Sequence, residues 1–472
     1  MSLNSEWLRR VDRWREELKR HFYRELGTIN MSGFVTKDQL PLEEVLRMEF
    51  KPMPPGTDWG AKWEYGWFKG EIVLPEEARE KRIVIMVEVG NETAVYVNGR
   101  NAGARDREHK EITIAMSGIP GNRYTILAEC YAGHGPRVEH SGPTPPWRET
   151  VPEPGPAQVT VGESTFGIWE EEVFQLWVDV ESLYSLRQGV HKDSLRLDEI
   201  DRGLKDFTLT VDFEQPYEYM LKTVKQCRER LKSLLECVNG TTAPVMYMIG
   251  HAHLDVAWLW PLAETERKCS RTFSTQIALM DEYPEYKFLQ SQPHLYRMVK
   301  TKYPALYERI KEKVKAGQFI PDGGMWVEAD TNISGGESLI RQFLHGKRFF
   351  REEFGVESEF LWLPDVFGYS AALPQIMKGC GINYFSTAKI AWNYNDADPF
   401  PYTTFMWEGI DGSEVLAHLC TDYGARIEPN WLIDNWNWRV QKEGIAIKMY
   451  PFGYGDGGGG ATREHLEFAR RV

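Results

Sequence analysis

The spacing of apolar residues changes twice along the chain, and each change predicts a different kind of structure. Over about residues 4–25, apolar positions such as Leu8 and Val11 recur every three or four residues, which predicts an amphipathic helix. Residues 30–185 instead contain short β-rich runs separated by turn residues, a pattern typical of an antiparallel sandwich. These runs are "EIVLP", "RIVIMVEVG", "TAVYVNG", "RYTILAECYAG" and "VFQLWVDVES".

Local signals refine this picture. Asn98-Gly99 is the strongest short signal for a β-hairpin, because both residue types accept positive φ. The proline-rich stretch 141–158 predicts a long surface loop. An apolar face over about 203–238, followed by Asn239-Gly240, predicts a helical segment that leads away from the sandwich.

After residue 243, short apolar runs alternate with helical stretches, which predicts a parallel sheet covered by helices. In such sheets the chemistry collects beyond the carboxyl ends of the strands. The sequence therefore predicts a multidomain protein with four segments. They are an N-terminal helix (1–29), an antiparallel β-sandwich of galactose-binding-like or jelly-roll type (30–190), a helical linker (191–242) and an α/β, β/α-barrel-like catalytic domain (243–472).

Composition excludes some partners and favours others. The formal net charge of −13 argues against nucleic acid, because phosphate neutralisation needs a basic face. Six scattered cysteines without a CxxC pair indicate buried thiols of a reducing compartment. No run approaches the ~18 apolar residues of a membrane span, and the first residues lack the apolar centre of a signal peptide. We therefore expect a cytoplasmic protein without a membrane partner.

The stretch "HAHLD" (251–255) carries the first candidate chemistry. If it is the end of a strand, His251, His253 and Asp255 share one face. Imidazole and carboxylate are the usual ligands of a borderline cation such as zinc. The alternative is a pair of hydrogen-bonded histidines near a turn, but three converging ligand-type side chains beside a buried strand are costly without a partner. One histidine could also orient the other.

Two more carboxylates follow predicted strands. Asp365 ends the apolar run "LWLP", where it could ligate a metal, attack a substrate or only cap the next helix. Asp456 precedes the run 457–460 of four glycines, which permit unusual backbone angles or the close approach of a ligand. The lysine of a phosphate loop is missing there. A pair of carboxylates is what glycoside hydrolysis requires, and their separation decides between retention and inversion.

Four motifs, in this order, resemble the glycoside hydrolase family 38 α-mannosidases. They are "GHAHLDVAWLWP", "GGMWVEADTNISGGESLIRQ", "LWLPDVFGYSAALPQIMKGCGINYFSTAKIAWN" and "FGYGDGGGG". The resemblance covers about residues 245–460. It is to the cytosolic and bacterial branch of the family, which has an extra β-rich region before the catalytic domain.

The resemblance implies a zinc ion, or another divalent cation such as Co²⁺, bound by His253, Asp255 and Asp365. It also implies that Asp365 is the nucleophile and Asp456 the general acid/base. His251, the other histidine of the motif, is expected to orient a metal ligand from outside the coordination sphere of the ion. The family's fourth metal ligand is a histidine that has no counterpart here. It is expected beyond Val472, so this sequence is expected to be the N-terminal portion of a longer enzyme, with an incomplete catalytic domain.

Three residues are expected to contact the sugar. Trp258 matches the tryptophan that stacks beneath the sugar in the −1 site, Lys389 the basic residue near the nucleophile, and Trp392 lies close by in sequence.

The implied activity is that of a retaining exo-α-mannosidase, which removes terminal α-linked mannose from oligosaccharides through a covalent glycosyl–enzyme. Two alternatives stay open at this point. One is another metal-dependent carbohydrate hydrolase, such as a deacetylase, with metal-bound water as its nucleophile. The other is a sugar-binding sandwich around "DWGAKWEYGWF" (58–68). Large hydrolases that contain a sandwich often associate, so a homo-oligomer is also expected.

Overall fold

A computed structural model describes residues 3–135, 154–392 and 400–472. The first helix, α1 (Ser5–Arg20), is capped by Asn4, whose side chain accepts hydrogen bonds from two backbone N–H groups of the first turn. The helix is shorter than predicted, because residues 23–28 form a strand that pairs with a distant part of the chain. Most of the predicted proline-rich loop lies outside the described residues.

The sandwich consists of two main antiparallel sheets. One has the strand order β1-β12-β6-β9 and the other β3-β2-β5-β10-β7-β8, while β4 and β11 form a short pair beside them. The strands are β1 (Tyr23–Thr28), β2 (Ser32–Thr36), β3 (Lys51–Pro52), β4 (Asp58–Trp59), β5 (Tyr65–Val73), β6 (Ile83–Met86), β7 (Thr93–Val97), β8 (Arg100–Arg105), β9 (Glu111–Ala115), β10 (Arg123–Tyr131), β11 (Val159–Thr160) and β12 (Thr165–Trp169); the short helix α2 (Leu42–Val45) follows β2.

The two inner faces close over an apolar core that includes Phe68, Ile85 and Ile126, all fully buried. The hairpin prediction is confirmed: Asn98 and Gly99 join β7 to β8 with φ of 51° and 79°. Trp59 and Trp67 of the aromatic run 58–68 are buried in the sandwich, so this part of the run supplies core packing.

Helices α3 (Glu171–Gly189) and α4 (Leu195–Thr210) pack against α1, and α5 (Tyr217–Leu235) packs against α3 and α4. The strand predicted for "VFQLWVDVES" is wrong, because these residues lie in α3. Buried residues occur on all sides of α3, so its apolar run lacks the 3.6-residue period that identifies a helix. The segment predicted as helical over 203–238 is interrupted: α4 ends at Thr210, and α5 begins only after Pro216.

The remaining chain alternates strands with helices, as predicted. Its elements are β13 (Val245–His251), α6 (Leu262–Glu282), β14 (Phe288–Gln290), α7 (Pro293–Lys302), α8 (Pro304–Lys315), β15 (Phe319–Pro321), α9 (Gly336–Phe354), β16 (Phe360–Trp362), α10 (Leu373–Gly379), β17 (Tyr384–Thr387), β18 (Thr404–Glu408), β19 (Glu414–Leu419), α11 (Pro429–Asn437), β20 (Ile447–Phe452) and α12 (Arg463–Ala469).

These strands form two sheets, β15-β14-β13-β20 and β16-β17-β19-β18, which are parallel except for β18. The sheets share a core that contains Leu289, Trp362 and Cys420. His418 of β19 links them, since its Nε2 accepts a hydrogen bond of 3.1 Å from the backbone N–H of Met449 in β20. The predicted parallel sheet is confirmed, whereas closure into a single barrel stays a prediction.

A buried ionic cluster joins the sandwich to α6. Glu92 of the sandwich pairs with Lys268 at 2.6 Å and Arg271 at 2.8 Å, and Arg271 also contacts Glu264. The Tyr65 hydroxyl donates to Glu264 at 2.8 Å. Because Lys268, Arg271 and Glu264 are almost fully buried, these charges depend on one another for compensation.

No helix among the described residues is both long and apolar enough to span a membrane. All six cysteines lie in the described ranges, and each is a free thiol.

Candidate active site

The charged side chains of the α/β domain converge where its parallel strands end. Each of these strands leads into a loop at the same edge of the two sheets, so residues far apart in sequence meet there. The side chains come from the segments that follow β13 (His253 and Asp255), β15 (Glu328), β16 (Asp365), β17 (Lys389), β19 (Tyr423) and β20 (Asp456).

His253 is the centre of this group and is almost fully buried. Its Nε2 lies 3.2 Å from Asp255 Oδ1 and 3.5 Å from Asp365 Oδ2. Its Nδ1 lies 3.0 Å from Glu328 Oε2, although the two atoms are not aligned as a hydrogen bond. Burial alone would lower the pKa of His253, but Glu328 and Asp255 together raise it well above its ordinary value.

Glu328 is held in place by the loops after β14 and β15. Its Oε1 accepts a hydrogen bond of 2.8 Å from the Ser291 hydroxyl, and its backbone N–H donates to Gln292 Oε1 at 3.1 Å. A carboxylate fixed beside Nδ1 favours the tautomer that leaves Nε2 free to bind a cation.

The two oxygens of Asp365 have different surroundings. Oδ1 contacts the Lys389 ammonium at 2.5 Å and accepts a hydrogen bond of 2.7 Å from the Tyr423 hydroxyl. Oδ2 faces His253. Burial raises the pKa of Tyr423, and its hydrogen bond to Asp365 raises it further, so the phenol stays protonated and donates.

Asp456 lies on the glycine-rich loop, with its backbone in the left-handed region at a φ of 52°. A carboxylate oxygen of Asp456 and ligand atoms of His253 and Asp255 all lie within 4.8 Å of one another. Part of the side chain faces solvent, yet burial of the rest raises the pKa of Asp456. The carboxylates of Asp255 and Asp365 add to this increase, while His253 opposes it.

His251 is placed differently from the other two residues of "HAHLD". Strand β13 ends at His251, so the expected alternation does not continue to Asp255. The Nδ1 of His251 lies 3.0 Å from Leu289 O, and its Nε2 accepts from the Trp362 indole at 3.3 Å. Burial lowers the pKa of His251 to about 4, consistent with a neutral ring packed behind the site.

The two predicted tryptophans lie on different loops, Trp258 after β13 and Trp392 after β17. Trp258 follows Asp255 on the same loop; it is half exposed and meets Trp260 edge-on. Trp392 stacks parallel to Tyr423 with ring centroids 6.1 Å apart, and its indole donates to Thr421 O at 2.9 Å. The Lys389 ammonium lies 3.9 Å from the centroid of Trp392, which fixes it against Asp365.

A cavity of about 200 Å³ opens beside these groups. Sequence reasoning missed several residues at the site. Glu328 could have been found from "WVEAD", since this acidic residue closely follows an apolar run, but Tyr423 had no such signal. Trp258 is not among the residues that line the cavity. Those residues are His253, Leu254, Asp255, Val256, Ala257, Gln292, Val327, Glu328, Asp330, Asp365, Val366 and Phe367.

The separations of His253 Nε2 from Asp255 and from Asp365 match the spacing that a small cation requires, although the groups whose ligand atoms all lie within 4.8 Å of one another are His253, Asp255 and Asp456, and His251, His253 and Glu328. Ligand atoms bonded to zinc at about 2.0–2.2 Å with tetrahedral angles are roughly 3.3–3.6 Å apart. The observed separations from His253 Nε2, 3.2 and 3.5 Å, are close to this range. One imidazole nitrogen and two carboxylate oxygens are also chemically suited to zinc.

Comparison with protein families agrees with this architecture. Residues 243–472 match the N-terminal domain of glycosyl hydrolases family 38, and residues 27–182 match the jelly roll domain of alpha-mannosidase. A jelly roll sandwich followed by an α/β domain with clustered carboxylates thus defines a glycoside hydrolase architecture. Residues 243–472 belong to glycosyl hydrolases family 38.

Individual relatives support the same assignment. The chain is 33% identical to alpha-mannosidase 2C1 of Homo sapiens, over 94% of this chain and 42% of that protein. It is 34% identical to alpha-mannosidase G of Dictyostelium discoideum, over 90% of this chain and 39% of the relative. It is 40% identical to alpha-mannosidase of Saccharomyces cerevisiae, over 53% of this chain and 24% of the relative. The chain therefore spans less than half the length of these relatives.

Proposed function

We propose that the full-length protein is a retaining exo-α-mannosidase that removes terminal α-linked mannose from oligosaccharides. The observation that carries this proposal is the convergence of His253, Asp255 and Asp365 at the strand ends, with Lys389 and Tyr423 bound to one oxygen of Asp365. The names of the relatives add independent support, since each is called an alpha-mannosidase.

Asp365 is the nucleophile in this proposal. Its carboxylate attacks the anomeric carbon and forms a covalent glycosyl–enzyme, while the bond to the leaving oxygen breaks. Lys389 and Tyr423 hold Oδ1, while Oδ2 lies 3.5 Å from His253 Nε2. This arrangement restricts the carboxylate to one orientation and lowers the entropic cost of attack.

Asp456 is the general acid/base. A raised pKa keeps a proton on its carboxyl group to higher pH, which suits a group that must first protonate the leaving oxygen. The same group then accepts a proton from the water that attacks the glycosyl–enzyme, so the configuration is retained.

His253, Asp255 and Asp365 would hold the metal, for which we propose Zn²⁺ or another divalent cation such as Co²⁺. When bound, the cation would act as a Lewis acid toward sugar hydroxyls and stabilise developing charge. Glu328 would fix the tautomer of His253. The family resemblance also predicts a further histidine ligand. It predicts in addition that the exposed Trp258 stacks beneath the sugar.

Trapping with a fluorinated mannosyl fluoride tests the reaction type. A slow fluorosugar should inactivate the full-length protein and leave a glycosyl adduct on the peptide that contains Asp365, detected by mass spectrometry. A metal-dependent deacetylase, the alternative drawn from the sequence, would form no such adduct. Release of acetate from acetylated sugars without any adduct would reject the proposal.

We also propose a cytoplasmic location, which the six free thiols support because such thiols persist in a reducing compartment. Mannose-containing glycans are the proposed substrate class. A homo-oligomer stays a prediction, and native mass measurement of the full-length protein would decide it.

A further inference from the structure

A turn of the sandwich reaches the loop that carries Asp456. This turn lies between β8 and β9 and contains Asp106 and His109, which we call the sandwich prop. Asp106 Oδ1 accepts hydrogen bonds of 2.8 Å from the backbone N–H groups of Glu108 and His109, which closes the turn. Both carboxylate oxygens of Asp106 lie 3.0 Å from His109 Nδ1. The prop is therefore a rigid, buried unit.

The prop contacts the catalytic domain at the far end of the glycine-rich loop (453–461). His109 Nε2 lies 2.8 Å from Ala461 O. On the other side, the Gln276 amide of α6 donates to Gly459 O at 2.6 Å and to Ala461 O at 3.0 Å. The loop is thus bound between the sandwich and α6.

Close contact with the prop explains why one position of the loop is glycine. Gly459 has a φ of 85°, and a Cβ atom there would lie 2.7 Å from Asp106 Oδ2 and 2.8 Å from His109 Cε1. Any larger residue would push the loop away from the sandwich. The sequence offered two reasons for these glycines, unusual backbone angles or the close approach of a ligand. The positive φ of Gly459 confirms the first, and the group that approaches its main chain is the prop.

We infer that Asp106 and His109 are positioning residues for the proposed reaction: they hold the glycine-rich loop so that Asp456 stays beside His253 and Asp255. This inference rests on the proposed function of Asp456. The sandwich then has a catalytic purpose in addition to its structural one, because a displacement of about 1 Å in a catalytic group can cost 100-fold in rate.

The hydrogen-bond pattern of the prop also specifies a charge state. Both ring nitrogens of His109 face acceptors, the Asp106 carboxylate and the Ala461 carbonyl, so both must carry a proton. Burial alone would lower the pKa of His109, but Asp106 raises it above its ordinary value. Glu111 of β9 also favours the positive charge on His109. His465 of α12 would repel that charge only when His465 is itself protonated.

The first test compares two substrates in the full-length protein. His109→Leu replaces the imidazole with an apolar side chain of similar size and so removes both donors. We expect kcat/KM, which reports formation of the glycosyl–enzyme, to fall about 10-fold or more on an alkyl α-mannoside. The fall should be much smaller on 2,4-dinitrophenyl α-mannoside, because that leaving group needs little protonation. A purely structural role of His109 would reduce both rates equally.

Tyr65→Phe is the matched control, since it removes a different sandwich-to-α6 hydrogen bond of 2.8 Å that does not contact the loop. It should leave both rates unchanged. If His109→Leu preserves the wild-type ratio of the two rates, the positioning role is wrong. If the wild-type protein hydrolyses neither mannoside, the proposed function itself is wrong.

The second test does not depend on the folding of His109→Leu. Asp106→Asn should lower the pKa of His109, because it removes the paired negative charge. The charged form of His109 supports the loop, so the alkaline limb of the kcat profile on the alkyl substrate should move to lower pH. A limb at the wild-type position in Asp106→Asn would overturn the inference.

Discussion

Strand ends in the sandwich lead mostly into turns, whereas parallel strand ends in the α/β domain lead into charged side chains. At the end of β7, Asn98-Gly99 closes a hairpin and returns the chain to the same sheet. At the end of β16, Asp365 instead meets groups from β13, β17 and β19. Neighbouring antiparallel strands run in opposite directions, so their carboxyl ends lie at opposite edges of the sheet. Parallel strands run in the same direction, so all their carboxyl ends lie at one edge. Direction of pairing thus decides where a site can form.

Buried charge also differs between the two regions. At the sandwich–α6 interface, Glu92 is paired with Lys268 and Arg271, so opposite charges compensate one another. At the strand ends, three carboxylates surround the single imidazole of His253 at 3.0–3.5 Å. Lys389 compensates only Asp365, so carboxylates still outnumber cations in this partly buried cluster, an arrangement that a bound cation stabilises.

The largest expected effect separates the two regions by function. Asp365→Ala in the full-length protein should reduce kcat by about 10⁴-fold or more, because the nucleophile is lost. Asp58→Ala, which removes an exposed carboxylate of the sandwich, should leave kcat unchanged. Steady-state hydrolysis of an aryl α-mannoside measures both variants. Near-normal turnover by Asp365→Ala would remove this residue from the nucleophile role.

Metal removal should have the next largest effect. We expect chelation to lower kcat by about 100-fold or more and added Zn²⁺ to restore it, because the cluster at the strand ends needs a cation. His253→Ala should also bind less metal per chain, measured by atomic emission, whereas the exposed His191→Ala should bind as much as the wild type. Full activity in metal-free protein would contradict the proposed zinc site.

The interface cluster should respond through stability. Glu92→Ala leaves Lys268 and Arg271 buried with less compensation, so we expect the free energy of unfolding to fall by about 3 kcal/mol. Glu71→Ala, which removes an exposed sandwich carboxylate near Lys69, should change it by less than about 0.5 kcal/mol. Urea unfolding followed by circular dichroism compares the two. Equal effects would show that the buried cluster contributes no more than a surface pair.

The smallest effect is a pH dependence. Burial lowers the pKa of His465 to about 3, so the unfolded chain binds a proton near pH 6.5 that the folded protein does not. Stability from this residue is therefore lost as pH falls below 6.5, by about 2 kcal/mol between pH 7 and pH 5. His465→Gln cannot titrate and should show a smaller loss in thermal unfolding, whereas the exposed His191→Gln should behave as the wild type. If the melting temperature depended on pH in the same way in all three proteins, the lowered pKa of His465 would be refuted.

Much of the site could be predicted because its residues lie in short motifs at strand ends. The sequence places His253, Asp255, Asp365 and Asp456 just after strands, and the structure brings them together, while their roles stay predictions. Tyr423 was not found, because a tyrosine in a loop looks like any other until packing brings its hydroxyl to Asp365. His251 was expected to share the face of His253 if the strand continued or to orient it from behind; β13 ends at His251, and the ring packs behind the site with a hydrogen bond from Trp362.

The fold shows the same division. Periodicity predicted the sandwich and the strand–helix alternation, since both patterns repeat over a few residues. It failed for α3, because a helix buried on all sides has no polar face to reveal its period.

The sequence by itself determined which chemical groups stand at the ends of which strands, because period, turn residues and chain order are local properties. Only the tertiary structure decided which oxygen of Asp365 binds Lys389, and that a turn of the sandwich holds Ala461 across 352 positions of sequence. Such contacts depend on how separate elements pack, and packing is a property of the whole chain that no short stretch of sequence contains.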